Sequence, residues 1–350
     1  MRAYSREEET KVRLQGDVRA WGRAGLIDAA QQTVLARDLR TDLRRTNIAL
    51  RLVLAIFTAL IVAASVALTI VAMGLRWSGM PFVTVVVAAA IVCVALAEWL
   101  VARWRLYRHG VEEALAASSV LLLSIATMEL VSLDRATSVM TTTAIAGLIV
   151  GAAGGWAIFQ RFGMVYAAVV AVACAALVPF QLAWNEWLRR SAAGVILAVV
   201  FGLGRAARAR QRDENRQDEH AVVQAAAFLG LYAVLNLRLL DPEGSAIVSE
   251  RWFYWGTYAL TWLLPAACLA LGIREKDRPL IAVGLLTAIA TLVTNKAYLQ
   301  WPRHAWDPMI LGVVLAGSAL AVRRWLDGGV DRQRRGFTAV NLLDSDRDLR

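Results

Sequence analysis

The densest run of chemically competent side chains is Asn295-Lys296-Ala297-Tyr298-Leu299-Gln300-Trp301-Pro302-Arg303-His304-Ala305-Trp306-Asp307-Pro308. Lys296 and Arg303 can bind a phosphate or carboxylate, Tyr298, Trp301 and Trp306 offer flat faces to a sugar or lipid headgroup, and His304 can move a proton. Asp307 completes this candidate binding set. A plainer reading fits the same residues: a Trp-Pro and Asp-Pro loop between two spans, with interfacial aromatics and snorkelling cations. Glu129, Asp134, Arg135, Arg189, Arg190, Arg238 and Asp241 are expected on the same side.

Other ionisable groups lie nearer to apolar runs, where a charge at helix centre costs roughly 2.5 to 3.5 kcal/mol on insertion scales. Glu98 sits about four residues from one end of its run, with Arg103 five positions on, and Glu129 is placed similarly in the next. Each reads as an interfacial or capping carboxylate, with a proton or cation relay as the alternative. Glu112 and Glu113 open a helix at its N-terminus, where negative charge suits the dipole. Gly147, Gly151 and Gly155 repeat every fourth position, so a second backbone can approach that face; packing within the bundle is favoured over dimerisation.

His109 and His220 stand alone beside arginines and read as solvated. Cys93, Cys174 and Cys268 lie inside apolar runs without metal-ligand or disulfide spacing. No nucleophile elbow, zinc-binding histidine pair or paired-carboxylate constellation occurs, so no catalytic residue, metal or cofactor is expected.

The elements that must position these residues are membrane spans. Hydrophobic residues make up 58% of 350 positions and charged residues 19%, a balance in which lipid is the main solvent for apolar side chains. The first run, Ile48 to Leu75, is uncharged beyond Arg51 and exceeds the ~20 residues that cross a hydrocarbon core. Similar runs follow at about 81–102, 111–133, 139–159, 162–183, 187–204, 221–240, 252–273, 279–299 and 307–325. The expected fold is an all-α, polytopic helical membrane protein of about ten transmembrane helices, the sixth being the shortest.

Charge sets the orientation. With an N-in/C-in arrangement, 30 of the 38 Lys and Arg residues fall on the cytoplasmic side, as the positive-inside rule requires. The net charge of +10 is then explained by membrane topology rather than by nucleic acid. Tryptophans such as Trp77, Trp187, Trp252 and Trp301 fall at predicted outer ends, and Trp99, Trp104, Trp156 and Trp325 at inner ends. Two sets of five spans would have inverted topology, but the halves share no self-similarity, and Pro179 and Pro265 do not correspond.

Residues 1–47 are charged and longer than a signal-peptide n-region, so the first span is expected to stay as an uncleaved anchor. They read as a small cytoplasmic helical hairpin: Ser5 to Trp21, a break at Gly22 and Gly25, then a second helix from an Asp28/Gln31 capping box towards Arg45. Leu26, Ile27, Val34, Leu35 and Leu39 form its apolar stripe. So short a segment needs the membrane face, a partner or another copy to lean on. Residues 326–350 read as a basic cytoplasmic tail that can touch anionic lipid.

Trp21-x-x-x-Gly25-Leu26-Ile27-Asp28, followed by a charged helix leading into repeated apolar spans, resembles the bacterial polytopic family known as domain of unknown function 2157. The resemblance covers residues 15 to about 165. It implies a bacterial inner-membrane protein of uncharacterised activity and supplies no catalytic residues.

Two functions remain open. One is a binding or transport module for an anionic or lipid-linked small molecule, with an extracytoplasmic site at Lys296 to Asp307 and membrane lipid around it. The other is a membrane scaffold or regulatory component whose cytoplasmic protein partner engages residues 1–47 and the basic tail.

Overall fold

A computed structural model describes residues 3–44, 46–133, 140–210, 214–240, 250–302, 304, 306–329, 333–334 and 337–338. Among the described residues the regular structure is helical apart from a pair of two-residue strands, β1 (Gln333–Arg334) and β2 (Phe337–Thr338). Two helices precede the apolar part. The first, α1 (Arg6–Arg23), is capped by Ser5, whose hydroxyl accepts from Glu8 N at 3.2 Å, and carries Glu7, Glu8 and Glu9 in its first turn. In α2 (Ala29–Asp38) the capping box is formed: Gln31 N donates to Asp28 at 2.6 Å, and Asp28 N to the Gln31 side chain at 3.1 Å.

The second helix is shorter than expected. It stops at Asp38, because the following residues run extended to dock on the bundle: Arg44 N donates to Arg105 O at 3.0 Å, and Tyr107 N to Arg44 O at 3.1 Å. Arg45 lies outside the described residues.

Helices then cover each expected apolar run: α3 (Ile48–Ala72), α4 (Met80–Trp104), α5 (Val111–Leu133), α6 (Met140–Phe162), α7 (Val165–Leu177), α8 (Glu186–Arg210), α9 (Glu214–Leu235) with the one-turn α10 (Leu237–Leu240), α11 (Arg251–Glu275), α12 (Arg278–Tyr298) and α13 (Asp307–Asp327). Seven of them, α3, α4, α5, α6, α8, α11 and α12, are long and apolar enough to cross a membrane. The short sixth run lies inside the 25-residue α8 and is among the seven. The fifth is not one continuous α-helix: α7 tightens into a 3-10 turn over Val178–Gln181, where Pro179 brings no N–H for a helical bond.

Apolar side chains point outward in quantity. Of α3 only Ile70 is buried, while Phe57, Leu60, Ile61 and Leu68 are each more than half exposed. Water would penalise such a surface; hydrocarbon does not. Between helices, small residues set the spacing. A Cβ at Gly155 would stand 2.8 Å from the Ala167 carbonyl oxygen, and one at Gly147 would stand 2.6 Å from Met128, so the glycine stripe of α6 is filled by α5 and α7 of the same chain. α4 and α5 form a close hairpin against α3; α7 meets α8 and α9, and α9 meets α12 and α11.

Polar contacts sort the connections into two ends. At one end Ala3 N donates to Arg161 O at 2.8 Å, Glu8 pairs with Arg105 at 3.2 Å and Arg13 with Asp218 at 3.1 Å, while Arg205 and Arg208 pair with Glu275 and Asp277. At the other, Gly79 N donates to Glu129 at 2.8 Å, Trp187 stacks edge-on with Trp252, and Leu237 N donates to the Tyr298 hydroxyl at 2.7 Å. The N-terminal hairpin belongs to the first end. Tyr4 and Leu43 are buried there in one core with Val101, Tyr107, Leu115 and Phe162.

Candidate functional site

A cleft of about 560 Å³ opens between α6, α7, α8 and α9. Its walls are Ala152, Ala171, Val172, Ala175, Val200 and Leu203, and the polar groups at its rim are Gln160, Arg210 and His220. Small residues make the space: alanines on α6 and α7 face Gly204 and Ala207 on α8. Phe159 closes the floor and meets His220 edge-on, ring centroids 5.6 Å apart.

The rim is electrostatically lopsided. Three arginines end α8, and two are neutralised, Arg205 by Glu275 and Arg208 by Asp277. Arg210 is exposed at the cleft and has no ion-pair partner among the described residues. Beside Gly204, the fully buried Gln224 accepts from Arg208 at 3.0 Å through its oxygen. Its Nε2 is buried with no acceptor among the described residues. A cationic head over an apolar trough is the geometry that takes an anionic amphiphile.

The Lys296–Asp307 segment is less open than its composition implied. Lys296 Nζ pairs with Asp307 Oδ1 at 2.5 Å and stands 5.4 Å from the centre of the Trp306 ring. His304 N donates to Asp307 Oδ2 at 3.0 Å, and the His304 and Trp306 rings lie 5.3 Å apart. Lys296, His304, Trp306 and Asp307 therefore come together, and Lys296 and Asp307 satisfy each other. Trp301 is exposed. Tyr298 corrects the expectation: only 1% exposed, it points into the bundle, accepts from Leu237 N and presents no face to an outer ligand. Arg303, Asp134, Arg135 and Asp241 lie outside the described residues.

Glu98, Glu112, Glu113 and Glu129 each have a partner, although Glu112 Oε2 is buried with none among the described residues. Glu98 receives Arg161 from α6 in a two-pronged pair at 2.5 and 2.6 Å, rather than Arg103. Glu129 caps α4 through Gly79 N. Glu113 holds Arg51 with a 2.6 Å bond from Nε and a second from Nη2, and Glu112, fully buried, accepts from His109 N at 2.7 Å. The histidines are not solvated as expected: His220 is buried on the cleft, and His109 Nδ1 is buried without a partner among the described residues.

One feature escaped the sequence reading. Facing interiors of α9, α11 and α12 carry Tyr232, Thr257, Thr261, Thr287, Thr291 and Thr294, with Asn236 just after α9, all buried. Thr291 donates to Thr261 O at 2.7 Å and meets the Tyr232 hydroxyl at 2.9 Å, and Asn236 bonds both Tyr232 and Thr294. Thr257, Thr261 and Thr287 donate to carbonyls of their own helices, while the Thr291, Tyr232 and Thr294 contacts cross between helices as interhelical glue. The signal was present: Thr257/Thr261 and Thr287/Thr291 each repeat at one helical turn.

No protein-family model, curated protein or solved structure matches the chain.

Proposed function

We propose that this chain crosses a bacterial cytoplasmic (inner) membrane ten times, with both termini cytoplasmic, and acts as a binding or transport module for an anionic, lipid-like molecule held in the α6–α9 cleft. Ten alternating passes agree with the sorting of the connections into two ends and with the bias of Lys and Arg towards one of them. The resemblance to the family of unknown function 2157 rests on Trp21 to Asp28 and the charged helix and apolar spans that follow, and assigns no residue a role.

One observation carries the functional reading: Arg210, with no ion-pair partner among the described residues, stands over an apolar trough of about 560 Å³. An acyl or prenyl chain lies along Ala175, Val200 and Leu203, and its phosphate or carboxylate meets Arg210, with Gln160 and His220 alongside. The site moves to this cleft from the outer loop because Lys296 and Asp307 satisfy each other.

Native mass spectrometry of protein extracted with its lipid tests this. A charge-assisted bond of about 1.5 to 3 kcal/mol corresponds to roughly 10- to 150-fold in affinity. Arg210→Gln should therefore strip a retained anionic lipid that wild type keeps, and Ala175→Phe, which fills the trough, should do the same. Equal retention in all three proteins refutes the reading.

A second reading, a scaffold, is favoured by α2, which has no buried residue and leaves Val34 and Leu35 exposed, and by Leu26, exposed in the turn before it. Glutamine at those three positions should then release a co-purifying protein while the fold is unchanged.

A further inference from the structure

The end of the bundle that carries α1 holds a second chamber, of about 470 Å³, lined by different residues from the cleft. Its charged lining is sorted by element. Arg51 and Arg108 come from the start of α3 and the α4–α5 connection, Asp218 and Glu219 from α9, and Arg13 and Glu9 from α1. The first turns of α9 separate the two spaces: Glu219 and Val222 face this chamber, His220 and Val223 the cleft.

The chain is bent to build the cationic part. Arg105 and Arg108 both adopt left-handed backbone, at φ 54° and 52°, and Gly110 follows at φ 103°. Side chains rarely adopt that conformation outside specific turns. A Cβ at Gly110 would collide with the Arg51 carbonyl oxygen, so the connection and α3 are in backbone contact there. Glu113 grips Arg51 through Nε and Nη2, which orients the guanidinium and leaves Nη1 without a partner among the described residues. The Arg108 guanidinium stands 5.5 Å from the centre of the Tyr107 ring and has no hydrogen-bond acceptor among the described residues. On the acidic part, Asp218 holds α1 through Arg13 at 3.1 Å, and Glu9 and Glu219 are buried.

Among the described residues three guanidinium groups and three carboxylates line the space, Arg13 and Asp218 already joined, so the charge of this lining is segregated but balanced. A simple anion entering it meets as many repelling groups as attracting ones, and so does a simple amine. A molecule carrying both signs matches both parts, and about 470 Å³ is within the usual range for a small-molecule pocket. We infer that the chamber beneath α1 binds a zwitterion: a phosphate or carboxylate at Arg51 and Arg108, and an ammonium at the carboxylates of α9 and α1. The molecule is either a membrane-lipid headgroup or a free compound of the same chemistry. This inference does not rest on the cleft.

The test uses the full chain in detergent, with phosphoethanolamine as the soluble probe and inorganic phosphate and ethanolamine as its halves. Phosphoethanolamine should raise the melting temperature while neither half does at the same concentration. Arg108→Asn keeps the left-handed backbone that asparagine tolerates, and should weaken binding about tenfold or more without changing the melting temperature of the unliganded protein. Glu219→Gln should weaken it from the amine side. A parallel arm reconstitutes wild type and Arg108→Asn in nanodiscs of phosphatidylethanolamine or phosphatidylglycerol. Selective retention of the former by wild type alone assigns the site to lipid, and binding confined to the soluble probe assigns it to a free zwitterion. Phosphate binding as well as phosphoethanolamine, an unchanged Arg108→Asn, or no response in either arm overturns the inference.

Discussion

Glu113→Gln is the most informative single perturbation of this fold. Glu113 is 8% exposed and Arg51, its partner across α3 and α5, 29% exposed, so the pair is largely withdrawn from water. Removing one member of a buried pair costs about 3 to 5 kcal/mol, because the other charge stays behind unpaired. Arg51 retains access to the chamber, which lowers the expected loss to roughly 2 to 3 kcal/mol, or about 30- to 150-fold in the folding equilibrium. Replacing both, Arg51→Met with Glu113→Leu, removes the desolvation cost along with the attraction. The double variant should therefore lie within about 1 kcal/mol of wild type. Reversible unfolding in mixed micelles against a denaturing detergent gives all four corners of the double-mutant cycle. If Glu113→Gln costs under about 0.5 kcal/mol, or the double variant loses the sum of the singles, Arg51 is solvated and the pair does not fasten α3 to α5.

Two further outcomes follow from close contacts at the same end. Gly155→Leu must push α6 from the Ala167 carbonyl of α7 and should lower stability by about 1 to 3 kcal/mol, whereas Gly202→Leu, with nothing within 4 Å of its Cβ, should be neutral in the same melt. Burial, with the Glu112 carboxylate second, pushes the Tyr4 hydroxyl far above the ordinary tyrosine range. The docked segment thus favours the protonated phenol: its contribution is complete below the unfolded-state value of about 10 and declines as pH rises beyond it. Protease cleavage of residues 1–47 should accelerate above about pH 10 in wild type and not in Tyr4→Phe.

The apolar helices were legible because hydropathy and length mark them, seven being long and apolar enough to cross a membrane, and the Asp28/Gln31 box because a cap is local. Their ends were less so. Asn236 interrupts the helix after Leu235, and its amide is committed to Tyr232 and Thr294, a partner 58 residues away. Pairing across the bundle was not readable at all. Arg103 is near Glu98 in sequence, but Arg161 reaches it in space. The outer loop looked like a site because composition counts donors and acceptors without revealing that Lys296 and Asp307 satisfy each other. The cleft was invisible for the opposite reason: its walls are alanines and valines indistinguishable by type from lipid-facing ones, and His220 carries no sequence mark of burial.

The docking of the N-terminal segment changes how a scaffold role must be tested. It is held by main-chain bonds of Arg44 to Arg105 and Tyr107, by Ala3 N to Arg161 O, and by the ion pairs of α1 with Arg105 and Asp218. These tie the α4–α5 connection to α9, so α1 bridges helices from the two halves of the chain. Deleting residues 1–40 would uncover Tyr107, open the chamber and cut the tie to Asp218 at once, and a loss of function would follow whether or not a partner binds there. Exposed substitutions on α2 and in the turn before it avoid this, since α2 contributes nothing to the core and Leu26 is exposed. Glutamine at Leu26, Val34 and Leu35 should leave the melting temperature within about 1 °C, surface changes costing only a few tenths of a kcal/mol. Loss of a co-purifying protein at unchanged stability then identifies a docking face, and a drop in melting temperature shows instead that these side chains serve the fold.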